Sequence, residues 1–298
     1  MVMPPLLKRY TTTLSLGFPY VSASFSTGFE EVRKTDTKEF DKWKKSPFNQ
    51  SISLSLFNSK LKLSESYTYN MEDENHDSFK LSASAYGMQL SYVMSYVLGY
   101  DFNDGWVIKE EKEFQPYSLS FSYSMPSKTF YKWANRVTFT PGLSTSVVAD
   151  LLRPTNSYLL FSPSIKFKIH EFLDITFTAN SRNSVLYWYF HNDSGDLYSD
   201  WGGFPGNIIK DLADSFRFDD LSKREASGFK LKSLNMTVSH DLHDWKFNMT
   251  MKIEPRLITE NGVKRYDFSP YVTIGVVWNP MESMKTSIID EYGEWKLE

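Results

Sequence analysis

The segment Phe229–Ile253, FKLKSLNMTVSHDLHDWKFNMTMKI, decides how the rest of the chain reads. From Trp245 the large apolar residues Phe247, Met249, Met251 and Ile253 occupy every second position, and Lys246, Asn248, Thr250 and Lys252 lie between them. A repeat of two sends alternate side chains to opposite faces of a strand. Met236 and Val238 carry the same pattern on the other side of the polar segment His240-Asp241-Leu242-His243-Asp244. The segment therefore predicts a long hairpin with one apolar and one polar face.

The unit recurs in both directions. Toward the N-terminus the alternation predicts strands through Tyr10–Phe18 and Val21–Phe29, then through Ile52/Leu54/Leu56 and Leu61/Leu63/Tyr67/Tyr69. Further strands follow through Phe79–Ala85, Met88–Tyr100, Leu119–Met125, Val137–Val147, Phe161–Ile169 and Ile175–Tyr189. After the hairpin, Tyr266–Trp278 reads as a strand, and Met284, Thr286 and Ile288 suggest one more. Tight turns are expected at Pro19, Asn58, Gly87, Pro126, His170, Asp241 and Asn279. Longer polar connections, such as 30–45, 71–77, 101–113 and 191–227, separate them. Within the last of these, Ile208, Ile209, Leu212, Ala213 and Phe216 have helical spacing and predict a short amphipathic helix.

Composition narrows the setting. Hydrophobic residues make up 41% and aromatics 16%, yet mean hydropathy is −0.40. No run of roughly 18 apolar residues is present, which excludes an α-helical membrane span. Alternating strands hide their apolar face from such averages, as transmembrane barrels do. Short and long connections in alternation, strands of about 9–13 residues, and aromatic clusters near strand ends (Tyr67/Tyr69, Tyr96/Tyr100, Tyr187/Trp188/Tyr189) point the same way. The competing reading, a soluble all-β protein, has shorter strands, about 5–6 residues on average. The expected fold is an all-β, antiparallel transmembrane β-barrel of about 13 or 14 meander strands, with residues 1–298 forming one barrel region in the outer membrane of a diderm bacterium. The N-terminal stretch MVMPPLLKRYTTTLSLGF lacks the apolar core of a signal peptide, so the chain is expected to be mature, trimmed or a piece of a longer one.

Chemistry is sparse. The net charge of −3 and the pI near 6.0 give no electrostatic footprint for nucleic acid, and the absence of cysteine removes disulfides and thiolate sites. His240 and His243 beside Asp241 and Asp244 invite a metal or acid–base reading. A polar turn accounts for them more simply, because no third ligand with fixed spacing is present. The enzyme alternative would rest on His191-Asn192-Asp193-Ser194, which lacks any motif fixing a geometry. No catalytic residue, metal site or cofactor is expected. Ser51/Ser53/Ser55, Ser118/Ser120/Ser122/Ser124 and the lysines Lys60, Lys62, Lys166, Lys168, Lys246 and Lys252 predict a hydrated, partly basic inner wall.

Ser239–Trp245, SHDLHDW, is similar to an Asp-Leu-His-x-Trp segment preceding the last strands of LptD/OstA-like outer-membrane proteins of Bacteroidetes and spirochaete type. The alternating strand after it and Ser269–Met284, SPYVTIGVVWNPMESM, also resemble that C-terminus. The resemblance singles out His240, Asp241, Leu242, His243 and Trp245 as a family-motif turn. It implies that the chain is the C-terminal half of a larger barrel inserting lipopolysaccharide or a related glycolipid into the outer leaflet. It further implies a plug lipoprotein in the lumen, periplasmic transport proteins as partners, and a lateral seam near the last strands. Asp244 stands where relatives often carry cysteine, and the jelly-roll of that family is absent. Three functions are thus open: a segment of a lipid-export barrel, a self-contained diffusion channel or surface adhesin, and an outer-membrane enzyme.

Overall fold

The computed structural model describes residues 7–32, 42–102, 105–134, 136–170, 172–189, 207–217, 220–241, 243–260, 262–278, 280–281 and 285–297. The fold is all-β and antiparallel, and it divides into two compact units: Met1–Ser122 with Val148–Pro154, and Tyr123–Val147 with Thr155–Glu298.

In the first unit seven strands follow one another as neighbours: β1 (Leu7–Gly17), β2 (Val21–Val32), β3 (Lys44–Leu56), β4 (Leu61–Asn70), β5 (Asn75–Ala85), β6 (Met88–Phe102) and β7 (Trp106–Ser124). The second unit holds β8 (Tyr131–Trp133), paired with β9 (Val137–Asp150), whose last residues belong to the first unit. The meander continues through β10 (Tyr158–Ile169), β11 (Leu173–Asn183), β12 (Phe229–Asp241) and β13 (Trp245–Ile253). A separate ribbon of β14 (Arg256–Glu260) and β15 (Val263–Asp267) follows, then β16 (Pro270–Trp278), β17 (Lys285–Glu291) and β18 (Glu294–Leu297). Two short helices, α1 (Ile208–Asp214) and α2 (Leu221–Ala226), lie between β11 and β12.

Register explains why the alternation matters. Ile165, Phe177, Met236, Met251 and Val272 lie side by side across five strands. So do Phe167, Ile175, Val238, Met249, Ile274 and Ile288. In the first unit Val21, Leu54, Leu63, Ala83 and Leu90 form such a row. These rows are not covered: Phe177 is 41% and Leu90 46% exposed. Among the described residues only Leu186, Phe229 and Leu231 are buried hydrophobic side chains. A single-layer sheet has no second layer to bury its apolar face against. Charge interrupts that face in the first unit at Glu65, which accepts hydrogen bonds from the Gln50 amide at 3.1 and 3.2 Å.

Several expectations are corrected. The connections 71–77 and 101–113 hold less loop than expected: residues 71–74 form a tight turn directly before β5, and β7 runs for 19 residues from Trp106. Cross-strand hydrogen bonding zips up these charged segments because a two-stranded ladder satisfies the backbone whatever the side chains. The strand expected through Tyr189 ends at Asn183, and Leu186–Tyr189 form a 3-10 turn. Tyr266–Trp278 is broken at Phe268-Ser269, so Val263–Asp267 pairs back on β14. The tail forms two strands rather than one, and the strand count exceeds the 13 or 14 expected. The helix through Ile208–Phe216 is present as α1, whereas α2 has no counterpart in the reading from sequence. Asn279 and Met284 lie outside the described residues.

Gly28 sits beside a register shift between β2 and β3. An added Cβ there would run into the carbonyl oxygen and carbon of Tyr10, which are backbone and cannot rotate away. Gly28→Ala is therefore expected to cost about 1–3 kcal/mol, read as faster amide exchange along Thr11–Gly17 with β10–β13 unchanged. Unchanged exchange in β1 would refute the close approach.

Candidate functional site

The polar face is built by hydroxyl rows. Ser22, Ser53, Ser64, Ser82 and Ser91 stand opposite one another on five consecutive strands, and Ser15, Ser24, Ser51, Ser66 and Lys80 form the next row but one. Short side chains there bond to each other, as between the Ser22 and Ser53 hydroxyls at 2.6 Å. They leave a hollow of about 550 Å³ bordered by Ser53, Ser55, Lys62, Ser64, Lys80, Ser82 and Gln89, among others. Ser118, Ser120 and Ser122 of β7 alternate with the exposed Tyr117, Leu119 and Phe121.

The second unit repeats the scheme with threonine and amide groups. Lys166, Thr176, Thr237, Thr250 and Thr273 make one row, and Ser164, Thr178, Asn235, Lys252 and Tyr271 another. Ser162 donates to Asn180 Oδ1, and Asn180 Nδ2 donates to Ser233, each at 2.8 Å. Lys62, Lys166, Lys168, Lys246 and Lys252 all lie on the polar faces of their units. Lys60 does not: it ends the turn 57–60, where its N–H donates to the Phe57 carbonyl. Nor is the wall simply basic. Lys166 meets Asp174 at 3.8 Å, Lys252 meets Glu254 at 2.8 Å, and Lys246 stands across from Asp241.

The hairpin motif is a connection between strands. Asp241 Oδ1 accepts the His243 N–H at 3.2 Å, and His243 adopts a left-handed φ of 67°. His240 packs on Phe172, and Trp245 stacks on Trp278 at 6.1 Å. Leu242 and residues 191–194 lie outside the described residues. No group of three His, Asp or Glu converges among the described residues.

What the reading from sequence missed lies between β11 and β12. Asp211 of α1 accepts the Tyr189 hydroxyl at 2.7 Å and the Gly228 N–H at 3.1 Å. Asn183, fully buried, donates to the Tyr189 oxygen at 2.9 Å. Burial, then the Asp211 carboxylate, push the Tyr189 phenol well above its ordinary range. Nearby, Ser233 pairs with Asn180 but Leu231 with Ser181, leaving Lys232 as the extra residue of a β-bulge. Beyond the bulge Arg182 stands opposite Lys230, and its guanidinium lies 4.4 Å over the Tyr158 ring. A hollow of about 290 Å³ opens there, lined by Arg224, Glu225, Lys230, Leu231, Lys232, Pro255 and Phe268. The sequence carried one signal of this: apolar residues fall on 229 and 231, then on 234, 236 and 238, a change of phase.

No family model and no curated protein matches the chain. Among solved structures it is similar to three mutants of the Rh. blastica porin. The first has a TM-score of 0.32 at 7% identity, and the second 0.31 at 9%. Each comparison covers 98% of this chain and 87% of the other. Likeness this low decides nothing, and the fold rests on the chain's own strands.

Tyr189→Phe keeps the ring but strips Asp211 of a donor and Asn183 of an acceptor. It is expected to cost about 1–3 kcal/mol locally, seen as faster exchange over 207–217 and 227–230. Because the folded-state phenol titrates above the unfolded one, its contribution is complete below about pH 10 and lost as pH rises through the folded value. The wild-type segment should therefore open in strong alkali. In Tyr189→Phe this alkaline step should vanish.

Proposed function

We propose that this chain forms the wall of a non-catalytic β-barrel channel in the outer membrane of a diderm bacterium, its hydroxyl-rich face lining a water-filled passage for small polar solutes. The observation that carries this reading is the two-faced sheet. Uncovered apolar rows suit a hydrocarbon solvent, and on the reverse face rows of serine and threonine hold water without holding a large net charge. Strands of 9–15 residues, such as β13, β11 and β6, reach across a hydrocarbon layer when tilted. β7 is longer, and its Trp106–Glu113 end carries the charges that belong outside the lipid. Stacked Trp245 and Trp278 sit at strand ends, where an interface favours aromatic rings.

The lipid-export reading stands second, supported by the SHDLHDW hairpin. On that reading the cargo is lipopolysaccharide or another glycolipid, and the partners are a plug lipoprotein and periplasmic transport proteins. It requires sheet edges that need another segment, whereas a channel requires closure.

Refolding the 298 residues into lipid vesicles separates the readings. A heat-modifiable species that admits small sugars supports the channel; a species that neither closes nor conducts alone supports the export segment. Phe177→Arg, on the apolar face, is expected to weaken vesicle insertion by roughly 2–4 kcal/mol. Thr237→Arg, on the polar face, should insert normally and change permeability. Equal insertion by both variants would sink the membrane reading.

A further inference from the structure

The chain is acidic overall, yet four cations gather at one end of the β11–β12 pair. Among the described residues, Arg182, Arg224, Lys230 and Lys232 share the hollows they line with one carboxylate, Glu225. They are not equivalent. Lys230 Nζ donates to the Glu225 and Ser227 carbonyls at 2.6 and 2.7 Å, so it pins the end of α2 against β12. That contact holds Arg224 in place, its guanidinium 4.7 Å over the Phe268 ring. Lys232, pushed out of the ladder by the bulge, is exposed and makes no hydrogen bond or ion pair with the described residues. Arg182 Nε is buried with no partner, against the neighbouring hollow that Trp188 and Lys232 share. The hollow beside Arg224 is amphipathic, with Phe268, Pro255 and Leu231 supplying apolar wall and the bases the charge. Its volume of about 290 Å³ is at the small end of ligand pockets.

We propose that this hollow binds a small organic anion, an aryl or alkyl phosphate or carboxylate, with Lys232 and Arg224 holding the charged group and Phe268 and Pro255 the apolar part. Inorganic anions satisfy the bases but leave the apolar wall in water. Neutral aromatics do the reverse. Only a molecule carrying both groups uses the whole surface, and charged rings at a pore select solutes of opposite sign. The site extends the channel reading, since the strand end that carries it continues the polar rows through Asn180 and Ser233.

The test uses the full chain folded in a non-ionic detergent, titrated by calorimetry with phenyl phosphate, inorganic phosphate and benzyl alcohol. Phenyl phosphate is expected to bind at least about tenfold more tightly than either of the others. Lys232→Glu should lower phenyl phosphate affinity about tenfold or more, and Lys232→Gln less. Phe268→Leu should bring phenyl phosphate close to inorganic phosphate. Both Lys232 variants alter an exposed side chain, and heat-modifiable gel mobility checks that they fold. Equal affinity for phenyl and inorganic phosphate would overturn the amphipathic site, as would indifference to Lys232→Glu. Binding is read without conductance, so loss of the channel reading leaves this result interpretable, and the converse holds.

Discussion

A single hydrogen-bonded layer has two faces and no interior, and this constraint governs the rest of the molecule. Backbone groups are satisfied strand to strand, so the ladder makes few demands on side-chain identity. What the side chains must do is suit two different surroundings at once. The rows through Phe177 and Met236 suit an apolar one, and those through Thr176 and Thr237, one strand position away, suit water. A globular protein would cover the first set with a second layer. Here Leu81, Leu90 and Ile165 remain exposed, which is what the proposed channel wall requires of its outer face.

The segment between β11 and β12 obeys different physics. It is held by a compact polar hub in which one carboxylate, Asp211 in the first turn of α1, gathers a phenol and a backbone amide, while Asn207 caps that turn. Phe229, at 0% exposure, and Leu231 bury themselves where β12 leaves the meander. The hub needs Gly228, because a side chain there would meet the Asn183 amide and the Tyr189 hydroxyl. Structure of this kind fixes loop residues in space, and the basic cluster depends on it. Lys230 serves both, as a clamp on α2 and as part of the charged rim.

Most of the meander was legible because alternation survives averaging over many strands. Serine runs such as Ser51/Ser53/Ser55 and Ser118/Ser120/Ser122 announced the polar wall, and register aligned the first set into rows. The failures share a cause. Charged stretches such as Lys109–Glu113 read as loop because polarity is a proxy for exposure, yet an exposed strand can be polar and still paired. Lys60 read as wall because sequence spacing cannot say where the turn ends. The apparent basicity of the wall disappeared once Asp174 and Glu254 were seen beside Lys166 and Lys252.

The sequence by itself determined the period of two, and with it the all-β class, the two faces and the hairpin at Asp241–Trp245, since each is a property of neighbours along the chain. Tertiary structure alone decided which residues meet: the Ser22–Ser53 pair, the Tyr189–Asp211 bond, and Lys232 between two neighbouring hollows, one lined by Arg224 and the other by Arg182. Ser22 and Ser53, Tyr189 and Asp211, and Arg182 and Arg224 are each separated by more than twenty positions. The register of the ladder pairs the serines, the packing of α1 and α2 against the ends of β11 and β12 supplies Asp211 and Arg224, and the bulge sets Lys232 beside them, because one extra residue in a strand changes which face every residue beyond it presents.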